Sequence, residues 1–261
     1  VLVLVVGAVV VAWVAALGSL GQLGGAAGDA VDAGGRAPQA GPWQPTSTST
    51  VLDAGAVAPP AQASPPPVVP AAPDPAWVER TAAVAGLPSR VLQAYATADL
   101  QLTAEQPACS LSWATLAGIG WVESHHGTVA GNSIGDAGRP AAGPIVGIPL
   151  TGQGATAQIR DTDGGALDGD TEWDRAVGAM QMLPATWARW GADGDGDGVL
   201  DPQDIDDAAL AAGRYLCASA SPLNDPGQWR AAVLAYNRSD AYAADVVNAT
   251  NYYAERSRLP A

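Results

Sequence analysis

The 261-residue sequence has no phenylalanine and no lysine, and only two cysteines, two histidines and two methionines. Without phenylalanine, the core must be built from alanine, leucine, valine, isoleucine and a few large rings among 9 tryptophans and 6 tyrosines. Basic residues are scarce as well: 12, all arginine, against 26 acidic residues, a formal charge of −14. A protein this acidic is repelled by phosphate backbones, which argues against nucleic acid as a partner. Two cysteines exclude a disulfide-dense scaffold. Cys109 and Cys217 can form one bridge in an oxidising compartment and otherwise remain buried thiols. The two histidines, His125 and His126, are adjacent and point about 100° apart on a helix, so they do not readily ligate one zinc ion. They read instead as helix C-terminal cations or substrate-contacting side chains.

Val1 to Leu17 are seventeen apolar residues without a charge, and Gly18 to Leu20 add none. That run is nearer the roughly 20 residues of a membrane span than the about 7–15 of a signal-peptide core. Residues 1–20 are therefore expected to be a membrane anchor or signal segment, with the rest extracytoplasmic and either anchored or secreted. Residues 21–75 turn to Gly, Ala, Pro, Ser and Thr, with eleven of the 21 prolines lying between Pro38 and Pro75. Such a composition buries too little apolar surface to offset its ordering entropy and reads as a disordered tether. Residues 76–261 are long enough for a sizeable core.

Helical periodicity dominates that part, over Pro75–Val84, Ser89–Asp99, Ser112–Ser124, Ala176–Trp190, Ile205–Cys217, Gln228–Asn237 and Asp240–Ala254. Strand-like alternation is nearly absent, with at most a short hairpin near Ile145–Ile159. The expected fold class is mainly α, with one long irregular insertion over Gly127–Thr171.

In the helix beginning after Ser112, a fitting N-cap, Trp113, Leu116, Ile119, Gly120 and Glu123 share one broad face. A carboxylate thus lies on the face that should turn inward, where burial raises its pKa as a general acid requires. A helix-end glutamate that simply reaches solvent is the alternative. Gly118 and Gly120 each weaken a helix by about 1 kcal/mol relative to alanine, which suggests close approach by ligand or backbone. Further along, Asp193, Asp195 and Asp197, with Gly198 at the sixth position and the Val199 carbonyl at the seventh, match the start of an EF-hand-like calcium loop. An acidic solvated turn is the alternative, although unfilled alternating carboxylates repel each other. Position twelve is Asp204 rather than the usual Glu. A second acidic run, Asp161, Asp163, Asp168 and Asp170, fits no metal loop and reads as a solvated or substrate-shaping segment.

Three blocks in order, Glu123-Ser124, Gly178-Ala179-Met180-Gln181 and Ala235-Tyr236-Asn237, resemble the lytic murein transglycosylases of the lysozyme-like superfamily, membrane-bound B type in its actinobacterial form. The stretch Ile159–Gly178 is similar to that group too, and the resemblance covers about Trp113 to Tyr253. It implies a lysozyme-like helical domain acting on peptidoglycan glycan strands. The implied chemistry cleaves the β-1,4 bond between N-acetylmuramic acid and N-acetylglucosamine without water and leaves a 1,6-anhydro end. Glu123 would be both acid and base, and one carboxylate would suffice, unlike the pair of most glycosidases. Ser124, Met180, Gln181, Tyr236 and Asn237 would form the substrate site, with Gln181 and Asn237 on acetamido groups or the acid and Tyr236 steadying Glu123. Trp173, Trp187 and Tyr242 are candidate sugar-stacking rings, ordinary core packing being as good an account of Trp187. The family's calcium loop is longer by three residues, so its closing ligand maps to Asp207, and its Ca2+ is structural. A hydrolytic muramidase using Glu123, a non-catalytic wall-binding module and a calcium-dependent adhesion protein are the rival readings. The sequence names no protein partner in a division or elongation complex.

Overall fold

The computed structural model of the chain describes residues 72–153 and 156–258. The apolar segment of residues 1–20 and all but the last four residues of the proline-rich tether lie outside them. Among the described residues, no helix is long and apolar enough to cross a membrane.

The described residues form seven α-helices: α1 (Pro75–Ala85), α2 (Ser89–Glu105), α3 (Trp113–Ser124), α4 (Pro184–Trp190), α5 (Ile205–Ser219), α6 (Pro226–Tyr236) and α7 (Asp240–Arg256). They contain no regular strand; extended segments meet only through isolated bridges such as Thr151 with Gln158. Local chemistry sets the helix starts. The Asp74 carboxylate accepts from the Ala76 and Trp77 amides ahead of α1, so the domain begins slightly inside the stretch read as tether. Ser112 caps α3 through the Ala114 amide, and Asp225 and Ser239 cap α6 and α7. Gly86, at φ 70°, stops α1 in the left-handed conformation that glycine adopts without penalty.

The helix expected over Ala176–Trp190 is half hairpin. Val177 and Met182 exchange backbone hydrogen bonds of 2.9 and 3.0 Å, closing a tight loop over residues 178–181. Gly178 and Gln181 take φ of 75° and 48°, which no α-helix allows, and Pro184 restarts the chain as helix α4. The preceding insertion is organised by its own carboxylates. Asp161 accepts from the amides of Asp163, Gly164 and Gly165, Asp163 from Ala166 and Leu167, and Asp170 from Glu172 and Trp173. Buried Asp174 holds Thr162 through both its amide and its hydroxyl.

α3 lies along α7, and α2 along α5. Leu92, Tyr95 and Leu102 of α2, Leu116 and Ile119 of α3, Ile205, Leu210 and Leu216 of α5, and Tyr242, Val246 and Tyr253 of α7 are buried together. Gly118 lets α7 approach: a Cβ there would lie 3.0 Å from the Val246 carbonyl oxygen and run into the Thr250 hydroxyl. Cys109, ahead of α3, is bridged to Cys217 of α5 with a Cα–Cα distance of 5.4 Å.

Candidate active site

Glu123 occupies the last turn of α3. It keeps partial exposure, yet burial of its surroundings pushes its carboxyl up to about 7, while a hydrogen bond from Tyr242 pulls the other way. The Tyr242 hydroxyl donates to Glu123 Oε1 at 2.7 Å from the buried face of α7. Tyr236, at the end of α6, lies near enough for the carboxylate charge to add to burial in raising its phenol. Its own hydroxyl donates to the Met180 carbonyl oxygen at 2.7 Å.

The Gly178–Gln181 loop is fastened to the end of α3. The Ser124 hydroxyl donates to the Ala179 carbonyl at 2.5 Å and accepts from the Gly127 amide at 2.8 Å. Gly178 is required here, since a Cβ would run into the Pro202 carbonyl oxygen. Gln181, half-buried in a left-handed backbone, donates from Nε2 to the Gly178 carbonyl at 2.9 Å. Its Oε1 faces Gly147, where a Cβ would approach to 2.9 Å. Asn237 is buried at the α6 C-terminus and accepts from the Ser239 amide at 3.2 Å, joining the entry of α7 to this group.

Glu123, Ser124, Met180, Tyr236 and Tyr242 are thus joined by contacts, with Gln181 and Asn237 on the same two loops. Their roles differ from expectation. Tyr242 is wholly buried and offers no open ring face to a sugar; its hydroxyl is instead bonded to the glutamate. Ser124 and Met180 are also fully buried and shape the site from beneath instead of lining it. Trp187 is a core side chain. Trp173 follows the insertion, with the Arg160 guanidinium 3.9 Å above its ring. The histidines are not helix-end cations. His126 is buried and held neutral, its pKa pushed down to about 3 by burial and then by His125. His125 stacks on Trp121 at 4.5 Å between ring centroids, and burial lowers its pKa too.

In the aspartate loop between α4 and α5, carboxylate oxygens of Asp193, Asp195 and Asp197 lie within 4.8 Å of one another. Asp207 does not join that cluster. Its two oxygens accept from the Gly194 amide at 2.6 Å and the Asp201 amide at 2.9 Å, tying both ends of the loop to the first turn of α5. The exposed Val199 donates its amide to Asp197 Oδ1 at 2.7 Å. Oxygen donors gathered in this way are of the type a hard cation prefers. Asp195 also gathers with Asp204 and Asp206, whose charges are offset by ion pairs from Arg139 and Arg90.

Sequence reasoning overlooked Tyr95, Tyr253 and Arg90. The two tyrosines were accessible to it in part: Tyr242, Val246, Ala249 and Tyr253 recur at helical spacing along one face of α7, and all four are buried. A phenol on such a face needs an internal partner. No protein family, no curated protein and no solved structure matches this chain.

Proposed function

We propose that the domain is a peptidoglycan lytic transglycosylase with a lysozyme-like fold, and that Glu123 is its single general acid and base. The observation that carries the reading is the state of Glu123: a partly exposed carboxyl with its pKa raised to about 7 by burial and oriented by Tyr242. A glutamate poised near working pH can give and take a proton in turn.

In the proposed reaction, protonated Glu123 donates to the glycosidic oxygen as the bond from muramic acid C1 breaks, leaving a 4-hydroxyl on the departing sugar. The carboxylate then takes the proton of the muramic acid C6 hydroxyl while that oxygen bonds to C1. Glu123 regains its proton, one C–O bond is exchanged for another, and no water is consumed. Gln181 and Asn237 offer amides for the acetamido groups, and Tyr236 borders the acid. The aspartate loop would hold Ca2+ through Asp193, Asp195 and Asp197 and the Val199 carbonyl, with Asp207 bracing the loop through the Gly194 and Asp201 amides. The ion would supply charge neutralisation for the loop joining α4 to α5 and no chemistry. The disulfide suits an oxidising compartment, and with the apolar segment of residues 1–20 it supports an extracytoplasmic, membrane-tethered placement.

The test is to incubate the full chain with purified peptidoglycan and weigh the released muropeptides. Products lighter by one water than reducing muropeptides, and absent with Glu123→Gln, are expected. Hydrated products would make the protein a muramidase, and none from folded, calcium-loaded protein would leave a wall-binding module.

A further inference from the structure

Directly after Ser124 the backbone is left-handed for three residues in succession, His125, His126 and Gly127, at φ of 51°, 60° and 77°. Only glycine adopts this conformation freely, and two side-chain-bearing residues keep it only where their surroundings over-determine it. The helix end supplies part of the restraint: the His125 amide donates to Trp121 O at 2.9 Å and the His126 amide to Gly120 O at 2.8 Å. The His126 ring supplies the rest. Its Nδ1 lies 3.2 Å from the Tyr95 hydroxyl of α2, and its Nε2 lies 2.7 Å from the Tyr253 hydroxyl of α7. All three side chains are buried. A neutral imidazole donates from one nitrogen and accepts at the other, so one ring satisfies both phenols.

The trio also reaches the helix that carries the acid. The Tyr95 hydroxyl occupies the space over Gly120, where any Cβ would collide with it, and Gly120 lies one turn before Glu123 on the same face. Beyond Gly120 is Met180 Sδ, 3.3 Å from that Cβ position, and the Met180 carbonyl holds Tyr236. Glu123 itself is hydrogen-bonded to Tyr242 of α7.

We infer that His126 is a positioning residue for Glu123: the buried Tyr95–His126–Tyr253 chain clamps the left-handed turn at the end of α3 between α2 and α7, and so fixes where the carboxyl meets Tyr242. The role of the clamp in catalysis rests on the proposed function. Its effect on Glu123 does not. Tyr95, Tyr253 and His125 are ionisable groups facing His126, and Tyr242 and Tyr236 face Glu123.

The test uses three variants of the full chain. Tyr253→Phe removes one hydroxyl, His126→Leu removes both hydrogen bonds, and His126→Asn tolerates a left-handed backbone while keeping an amide for one phenol. Two quantities are read: kcat and KM on peptidoglycan, and the titration midpoint of the Glu123 carboxyl by carbon NMR, its signal being the one lost in Glu123→Gln. Tyr253→Phe is expected to lower kcat about tenfold with KM within about twofold, a displacement effect. The Glu123 midpoint should fall by about one unit toward an ordinary carboxylate as water gains access. His126→Asn should lie between wild type and His126→Leu in both quantities. Folded Tyr253→Phe and His126→Asn with wild-type kcat and midpoint would overturn the inference. If His126→Leu does not fold, Tyr253→Phe decides. If wild type releases no anhydro products, the transglycosylase reading falls, while the midpoint in Tyr253→Phe still decides the clamp.

Discussion

The Tyr242 hydroxyl and Glu123 Oε1 meet at 2.7 Å, a bond between α7 and α3 across 119 residues of chain. It favours the charged carboxylate, against the larger and opposite effect of burial. Tyr242→Phe fits the same buried space and removes only that opposition, so the Glu123 pKa should rise above its present value of about 7. The basic limb of the kcat/KM profile against pH is expected to move upward. The optimum should drop about five- to tenfold, the worth of one oriented hydrogen bond of about 1 kcal/mol. A limb that stays put or moves down would refute this account of the acid.

Glu123 is also a liability for the fold. Its pKa is raised from 4.5 to about 7 on folding, so the folded state prefers the proton. That contribution is fully present below about pH 4.5 and is lost as pH rises through 7. Above it, the ionised carboxylate destabilises by at most about 3 kcal/mol. Glu123→Gln keeps an acceptor for Tyr242 without a charge. Thermal melts should find this variant more stable than wild type at pH 8 and nearly equal to it at pH 4. A gap of the same size at both pH values would sink the argument.

Much of this geometry is legible in the chain because it follows from local rules. The cap at Ser112, the helix that follows it and the inward-facing Glu123 come from period and polarity alone. The Ala176–Trp190 stretch misleads because its apolar spacing is helical while Gly178 and Gln181 take left-handed backbone, set by the close approach of Pro202 and by the bond from Ser124. The bond of Tyr242 to Glu123 depends on how α7 is rotated against α3, which no local pattern encodes. His126 resembles an exposed helix end in sequence. Its burial comes from Tyr95 and Tyr253, 31 residues before it and 127 after.

Calcium should stabilise the protein through the aspartate loop. Asp193, Asp195 and Asp197 bring three carboxylates within 4.8 Å, and a cation bound only by the folded state adds about 2.7 kcal/mol at a hundredfold excess over its Kd. Millimolar Ca2+ is expected to raise Tm in wild type, and not in the double variant Asp193→Asn with Asp195→Asn. Magnesium, which requires a tighter octahedral shell, should raise it less. Equal Tm with and without Ca2+ would leave the loop as an acidic turn held by its own backbone hydrogen bonds.

Replacing both Cys109 and Cys217 by alanine opens a loop with a sequence separation of 108. Removing such a bridge typically costs about 2–5 kcal/mol, and urea unfolding should register it as a lower midpoint. The bridge lies at the start of α3, while Glu123 is in its last turn, ten residues or about 15 Å further along the helix axis. The variant that remains folded should therefore keep its kcat and the pH limb of Glu123. A large loss of kcat per folded molecule would mean that the start of α3 also positions the acid.

Gly118 and Gly120 separate two reasons for a glycine inside a helix. In an open helix, either substitution by alanine would gain about 1 kcal/mol from propensity. At position 118 the new methyl meets backbone, the Val246 carbonyl at 3.0 Å and the Thr250 amide at 3.1 Å, as well as the Thr250 hydroxyl. α7 must retreat, and overpacking of this kind costs about 1–3 kcal/mol. At position 120 it meets a side chain, the hydroxyl end of Tyr95. That phenol can swing aside only by leaving His126, so the loss should appear in the acid more than in the melting temperature. Gly118→Ala is expected to lower Tm with the Glu123 titration unchanged in the folded fraction. Gly120→Ala is expected to shift that titration as Tyr253→Phe does. The same response from both glycines would mean that α3 moves as one rigid rod, whatever Tyr95 does.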